Sequence, residues 1–219
     1  MGILFAFALS AGIATTPWMQ SANRVVSSAL RPMGVHIPAL QLIWVFGGIP
    51  LTFLSVLGVA WNRSRKQKPW IGIVFGFIVG SLIELVSKHF IALPTPPNVP
   101  PEGFYQAIVV ATNITPSQVL HLISLVAGHG TSGSSHFKLL QGSFPSGHLF
   151  RLTYALLVLT ETRKPGALVA VIDGLASFCV VATGGHWIWD TVGGIVLATL
   201  MTTWIAFPSS ATGSPRSRH

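Results

Sequence analysis

Long apolar stretches alternate with short polar or proline-containing segments along most of the sequence. A helix needs about 20 residues to cross the hydrocarbon core of a bilayer, and fewer when its ends lie among the headgroups. We predict six membrane spans, at about residues 3–17, 38–61, 70–93, 147–160, 165–181 and 187–207. The pattern therefore predicts an all-α, polytopic membrane protein with a six-transmembrane-helix bundle. Residues 1–219 form one membrane domain, with core helices in 38–207 and a tail at 208–219.

Two segments between the predicted spans differ from the rest. Residues 20–32 carry apolar positions at helical spacing beside Arg24 and Arg31, which is typical of a helix lying on the membrane surface. Many prolines follow the third span, at residues 94–101, and exclude a continuing helix. We therefore predict an interfacial helix near the N-terminus and a long external loop from about Pro94 to Phe144.

Charged residues are scarce, and their positions indicate the topology. The chain has 13 lysines and arginines and 5 acidic residues, or 8% charged, whereas about a quarter of the residues in soluble domains are charged. Eight of the basic residues lie in two loops and the tail, at Arg63, Arg65, Lys66, Lys68, Arg163, Lys164, Arg216 and Arg218. Because basic loops face the cytoplasm, we predict a multi-pass cell-membrane protein with both termini inside. This placement favours a lipid bilayer over nucleic acid as the partner of the net charge of +8.

The residues that commonly bind metals follow no recognised pattern. Cys179 is the only cysteine in the sequence, so neither an internal disulfide nor a thiolate cluster can form. We interpret four histidines without ligand spacing as loop residues, namely His89, His121, His129 and His136. The prediction is therefore a site without a metal or another cofactor.

Three separated parts of the chain reach the outer membrane face in this topology. Lys88 lies near the outer end of the third span, and the sequence Pro-Ser-Gly-His at 145–148 begins the fourth. His186 and Asp190 begin the sixth span. Ionisable residues at membrane depth are costly and usually functional, so we predict that these residues form one site facing the outer side.

The residue types in this site suit the chemistry of a phosphate. His186 and Asp190 are four residues apart and are predicted to share a helix face, so that the carboxylate holds one ring nitrogen and leaves the other as a base or nucleophile. Ser146 and Gly147 precede a helix, where free N–H groups and the positive end of the helix dipole favour an anion. His148 in the first turn is then placed to protonate a leaving oxygen.

These motifs resemble those of the type-2 phosphatidic acid phosphatase superfamily of membrane enzymes, whose pattern is K-x6-R-P, then P-S-G-H, then S-R-x5-H-x3-D. Residues 144–148 match the second motif in full, and Lys88 and Pro96 match the spacing of the first. His186 and Asp190 match the end of the third. The resemblance covers the chain from the second predicted span to the sixth.

The resemblance implies a role for each matching residue. His186 would attack phosphorus and form a phosphohistidine, with Asp190 orienting its ring. His148 would be the acid for the leaving alcohol. The phosphoryl oxygens would be held by Lys88, Ser146 and Gly147. The resemblance implies no metal in this chemistry.

Both motif arginines are replaced in this sequence. Thr95 occupies the arginine position of the first motif, and Cys179 and Val180 occupy the serine and arginine positions of the third. Arg151 lies three residues after His148 on the same predicted helix face, and we propose that it replaces one phosphate clamp. It could instead snorkel to the interface or form a structural ion pair with Glu84, Asp173 or Asp190.

The function predicted from these residues is hydrolysis of a lipid phosphate or diphosphate through a phosphohistidine. The candidate substrates are polyprenyl diphosphate, phosphatidic acid and phosphatidylglycerol phosphate. A second hypothesis is a homologue that binds lipid phosphates without catalysis or transfers a headgroup to another alcohol. A third is a transporter whose charged path is lined by Glu84, Lys88, Arg151 and Asp173. A fourth is a metal-dependent membrane hydrolase.

Overall fold

The computed structural model describes residues 2–91, 93–97, 142–163 and 165–207. All regular secondary structure within these ranges is helical. The elements are α1 (Gly2–Ala14), α2 (Pro17–His36), a 3₁₀ helix (Pro38–Leu42), α3 (Ile43–Phe46), α4 (Ile49–Arg65), α5 (Ile71–Phe90), α6 (Gly147–Leu159), α7 (Ala167–Ala182), α8 (Ile188–Met201) and a π-helix (Thr202–Ala206). The predicted all-α class is confirmed for the part of the chain that is described, whereas most of the predicted external loop lies outside it.

Two of these elements are long and apolar enough to cross a membrane, namely α5 and the continuous run of α8 and the π-helix. The 3₁₀ helix, α3 and α4 together form a third candidate if their bent path is one span. The apolar helices α1 and α6 have 13 residues each and α7 has 16, which at 1.5 Å per residue is shorter than a hydrocarbon core of about 30 Å. Candidate membrane spans are therefore present, and the count of six stays a prediction.

The predicted second span is not one continuous helix. The helix is interrupted at Gly47 and Gly48, and the helical segments before and after them form an angle of 43°. Gly48 is extended, and Pro50 lies in the first turn of α4, where its missing N–H breaks no hydrogen bond. A Cβ at Gly47 would lie 2.8 Å from the Cβ of His148, so the break allows close contact with α6.

The predicted interfacial segment at residues 20–32 is part of a longer helix, α2, which begins where Pro17 fits the first turn. One face of α2 packs on the protein. Gly34 lies so close to the carbonyl of Ala182 that a Cβ there would overlap it. The side-chain oxygen of Asn23 accepts a hydrogen bond from the backbone N–H of Trp189 at 3.4 Å. The helix therefore covers the connection between α7 and α8.

Helix α6 lies at the centre of the packed helices. The Tyr154 hydroxyl donates to the Ile73 carbonyl on α5 at 2.6 Å, and Thr153 donates to Asp173 on α7 at 2.8 Å. The second bond joins the Asp173 carboxylate to a neighbouring helix, a common role for a polar residue in an apolar helix. Gly80 on α5 leaves room for the ring of Phe150. These contacts hold α6 against α5 and α7, and the start of α6 carries candidate residues.

Candidate active site

The Pro-Ser-Gly-His turn is joined directly to the start of α8. Ser146 is the N-cap of α6, and its hydroxyl accepts a hydrogen bond from the Leu149 N–H at 3.4 Å. The Ser146 N–H donates to the carbonyl of Asp190 at 2.9 Å. Gly194 allows α8 to pass close to the Ser146 carbonyl. Two motifs that are 40 residues apart in the sequence therefore share one hydrogen-bonded junction.

Asp190 lies beside His186 at this junction. Its Oδ2 accepts the N–H of Trp187 at 3.0 Å and lies 3.5 Å from the Nδ1 of His186. Within the described residues, that Nδ1 and the other oxygen of Asp190 have no hydrogen-bond partner. The predicted shared helix face is wrong, because α8 begins only at Ile188 and His186 precedes it. The pair meets through the capping turn of α8 instead.

The two motif histidines face each other. The ring centroids of His148 and His186 are 6.3 Å apart, and both residues are largely buried, with 8% and 7% of their surface exposed. The edge of Trp44 contacts His148 with a centroid distance of 4.5 Å, and Gly185 leaves space for the same indole. Trp44 was not predicted as part of the site. An aromatic residue in an apolar stretch gives no sequence signal for contact with His148.

A buried carboxylate links the two candidate cations. Glu84 Oε1 lies 2.7 Å from the Lys88 ammonium, and its Oε2 lies 2.9 Å from Nη1 of Arg151. Arg151 also donates from Nε to the Gly47 carbonyl at 3.0 Å. The Glu84 side chain is 1% exposed and that of Arg151 is 5% exposed. Of the carboxylates considered for Arg151, Glu84 is therefore the one that pairs with it.

The same carboxylate lies against the N-terminal turn of α6. A Cβ at Gly147 would overlap the carboxylate of Glu84, so glycine is required there for this approach. A negative charge at this end of a helix is favoured by the helix dipole and the free N–H groups. Glu84 thus occupies part of the anion-favouring surface that was predicted to hold a phosphate.

The two positions where the family motifs have arginine carry no cationic side chain in this protein, because they are Thr95 and Val180. Val180 is buried with Leu149 and Ala176 in an apolar cluster, and Cys179 is partly buried beside it in α7. Thr95 is exposed.

His89 is exposed at the end of α5 against Phe90, and the other three histidines of the predicted loop lie outside the described residues. No group of three metal-ligating side chains occurs in the part that the structure describes.

Loss of the Glu84 charge is expected to destabilise the protein strongly. Glu84→Gln leaves the ammonium of Lys88 and the guanidinium of Arg151 without their carboxylate, which costs about 3–5 kcal/mol for a buried ion pair. The matched control is Glu161→Gln, because Glu161 is 45% exposed and pairs with Arg63 at 3.3 Å; this change is expected to cost less than about 1 kcal/mol. Unfolding of both variants in the same detergent measures the difference, and equal stability would contradict the buried ion triad.

Comparisons of the chain with protein-family models, with curated proteins and with solved structures give no match. The motif resemblance therefore rests on residues of this chain alone. A functional assignment must come from the geometry and chemistry of the site.

Proposed function

We propose that the protein is a membrane lipid phosphatase that hydrolyses a lipid phosphate or diphosphate through a phosphohistidine on His186. The observation that carries the proposal is the pairing of the His148 and His186 rings, 6.3 Å apart, with Asp190 behind His186. An acid and a nucleophile must both reach the same phosphoryl group, and this separation brings the two rings close enough to contact one such group together. The site faces the outer side of the cell membrane in the proposed topology.

The roles of the two histidines follow from their neighbours. In the proposed mechanism the Asp190 carboxylate, which lies 3.5 Å from Nδ1 of His186 in the structure, moves closer and accepts its N–H, so Nε2 carries the lone pair that attacks phosphorus. As the phosphorus–oxygen bond to the lipid breaks, His148 transfers a proton to the leaving oxygen. Water then attacks the phosphohistidine, His148 takes a proton from it, and the phosphorus–nitrogen bond breaks to release inorganic phosphate. Atoms and charge balance without a metal or redox partner.

The two cations retain donors for a phosphate despite their contacts with Glu84. An ammonium has three N–H donors, and the contact with Glu84 uses one of those on Lys88. A guanidinium has five, and Arg151 donates one from Nε and one from Nη1, which leaves one hydrogen on Nη1 and two on Nη2. Glu84 is therefore proposed as a positioning residue that aligns both cations beside the start of α6.

One set of observations favours a second candidate function, binding of a lipid phosphate without hydrolysis. Glu84 neutralises one of the two positive charges of Lys88 and Arg151. Val180 cannot bind a phosphate at the position where the family that the motifs resemble has an arginine. Transition-state clamps of this kind contribute about 10²–10³-fold to a rate. A protein that only binds the lipid would need the cations and the α6 turn, but not His186 as a nucleophile.

A phosphate-release assay separates the two functions. Purified protein in mixed micelles is supplied with phosphatidic acid, phosphatidylglycerol phosphate or polyprenyl diphosphate, in parallel samples with and without a chelator. The proposal predicts release of inorganic phosphate from at least one of the three lipids, because the mechanism needs no metal. Saturable binding of the lipids without any release would favour the non-catalytic function. Release that disappears with the chelator would favour a metal-dependent hydrolase.

A further inference from the structure

An open groove of about 520 Å³ runs along α2 to Trp187. Arg24, Ser28, Arg31 and Val35 all line it, and their spacing of four, three and four residues places them on one face of the helix. Pro32 and Pro97 contribute apolar surface. The groove therefore combines an apolar wall with two arginines separated by about 10 Å along the helix axis.

The groove adjoins the loop that carries His186. Gly34 packs on the carbonyl of Ala182 at the end of α7, and Asn23 binds the N–H of Trp189 at the start of α8. Both contacts hold α2 over the short connection between these helices, which includes His186. Trp187, the residue directly after His186, lines the groove, and its indole N–H donates to the Pro94 carbonyl at 2.7 Å.

The two arginines of the groove are not neutralised within the described residues. Each carboxylate that the structure describes binds a partner outside the groove. These carboxylates are Glu84, Glu161, Asp173 and Asp190. Arg24 contacts only the hydroxyl of Ser21 at 3.2 Å among the hydrogen bonds of its side chain in this part of the chain, and both Arg24 and Arg31 are exposed. A guanidinium without a carboxylate beside an apolar wall suits a ligand with both anionic and apolar parts.

We propose that this groove binds a second anionic group of the substrate headgroup, so that the preferred substrate is a lipid whose phosphate next to His186 is followed by another negative charge. The inference rests on the proposed function for the position of the first phosphate. Arg24 and Trp187 also line a second, smaller pocket together, and Arg31 lies about two turns further along α2. A diphosphate or a headgroup with two phosphates has this chemistry, whereas phosphatidic acid has one phosphate.

The test compares substrates with one and two anionic groups in bilayers of neutral phosphatidylcholine. In the double variant Arg24→Gln and Arg31→Gln, the KM for polyprenyl diphosphate or phosphatidylglycerol phosphate is expected to rise about tenfold or more, because charge-assisted hydrogen bonds are lost. The KM for phosphatidic acid and all kcat values should stay within about twofold. Arg65→Gln, which removes an exposed arginine at the end of α4, is the matched control and should change neither KM.

A second arm separates the groove from catalysis. Binding of the same lipids to protein carrying His186→Ala is measured in phosphatidylcholine nanodiscs, with and without the two arginine substitutions. An affinity loss of about tenfold for the doubly anionic lipid alone supports the groove even if no lipid is hydrolysed. The proposal would be overturned if the two arginine substitutions left the affinity for the doubly anionic lipid unchanged. It would also be overturned if they lowered the affinity for phosphatidic acid by the same factor. A loss seen only when anionic lipid is added to the bilayer would assign the arginines to bulk membrane lipid and would also overturn it.

Discussion

Replacement of His186 by alanine is expected to lower the rate of phosphate release by about a thousandfold or more. The imidazole is the proposed nucleophile, and no neighbouring side chain offers an equivalent nitrogen with a carboxylate behind it in the described part of the site. The rate is measured under saturating lipid with each substrate of the wild-type protein. Because the alanine removes the group that bonds to phosphorus, kcat should fall while the affinity for the lipid changes little.

His89→Ala is the matched control for this prediction. His89 is exposed at the end of α5, next in sequence to Lys88, and stacks only against the edge of Phe90 among its ring contacts in the described residues. We expect its kcat to stay within about twofold of the wild type. Size-exclusion profiles and thermal unfolding check that His186→Ala is folded. A folded His186→Ala protein with the wild-type rate would remove His186 from the mechanism.

The second large effect is expected for His148→Ala, whose rate should fall by about 10²–10⁴-fold, the usual contribution of a general acid. The loss should depend on the leaving group. An alkoxide leaving from phosphatidic acid needs a proton more than a phosphate leaving from a diphosphate, so the loss should be larger for phosphatidic acid.

This substrate dependence distinguishes an acid from a packing residue. His148 packs against Trp44, and its removal also leaves a space beside Gly47. A purely structural defect would lower the rates for both lipids by the same factor. Trp44→Phe keeps an aromatic ring beside the imidazole and serves as the control; its losses should be equal for the two substrates. An equal loss for both lipids in His148→Ala would contradict the assignment of His148 as the acid.

Local sequence patterns predicted two parts of the candidate site, namely the start of α6 and the contact between His186 and Asp190. Ser146 before Gly147 is a strong N-cap signal, and α6 begins there. The spacing of His186 and Asp190 indicated contact, which the structure provides through a capping turn. These features depend on residues within about one helical turn of each other, so one sequence was enough to find them.

The features that the sequence did not predict depend on distant contacts. Glu84 was considered, with two other carboxylates, as a partner of Arg151, but no sequence pattern indicates that it pairs with both Arg151 and Lys88. That arrangement requires α5 and α6 to pack closely, which Gly80 and Gly147 allow. The bend at Gly47-Gly48 was also missed, because two glycines in an apolar stretch are compatible with a continuous span.

The span count depends on the membrane as well as on the chain. The short helices α1, α6 and α7 were predicted as spans from their apolar character and from alternation of the basic loops. Their lengths of 13 to 16 residues reach about 20–24 Å, so full crossing would need a locally thinner bilayer or flanking segments within the headgroups. Composition alone does not separate these arrangements from helices buried inside the protein.

The most direct test of the central claim is to trap the phosphorylated protein. Purified wild-type protein is mixed with a lipid carrying a radiolabelled terminal phosphate, quenched within the first turnover and digested, and the labelled peptide is sequenced. The proposed mechanism predicts an acid-labile, alkali-stable phosphate on His186, which is absent in His186→Ala and reaches up to one per active protein. Steady release of phosphate without a labelled protein, or with the label on another residue, would contradict it.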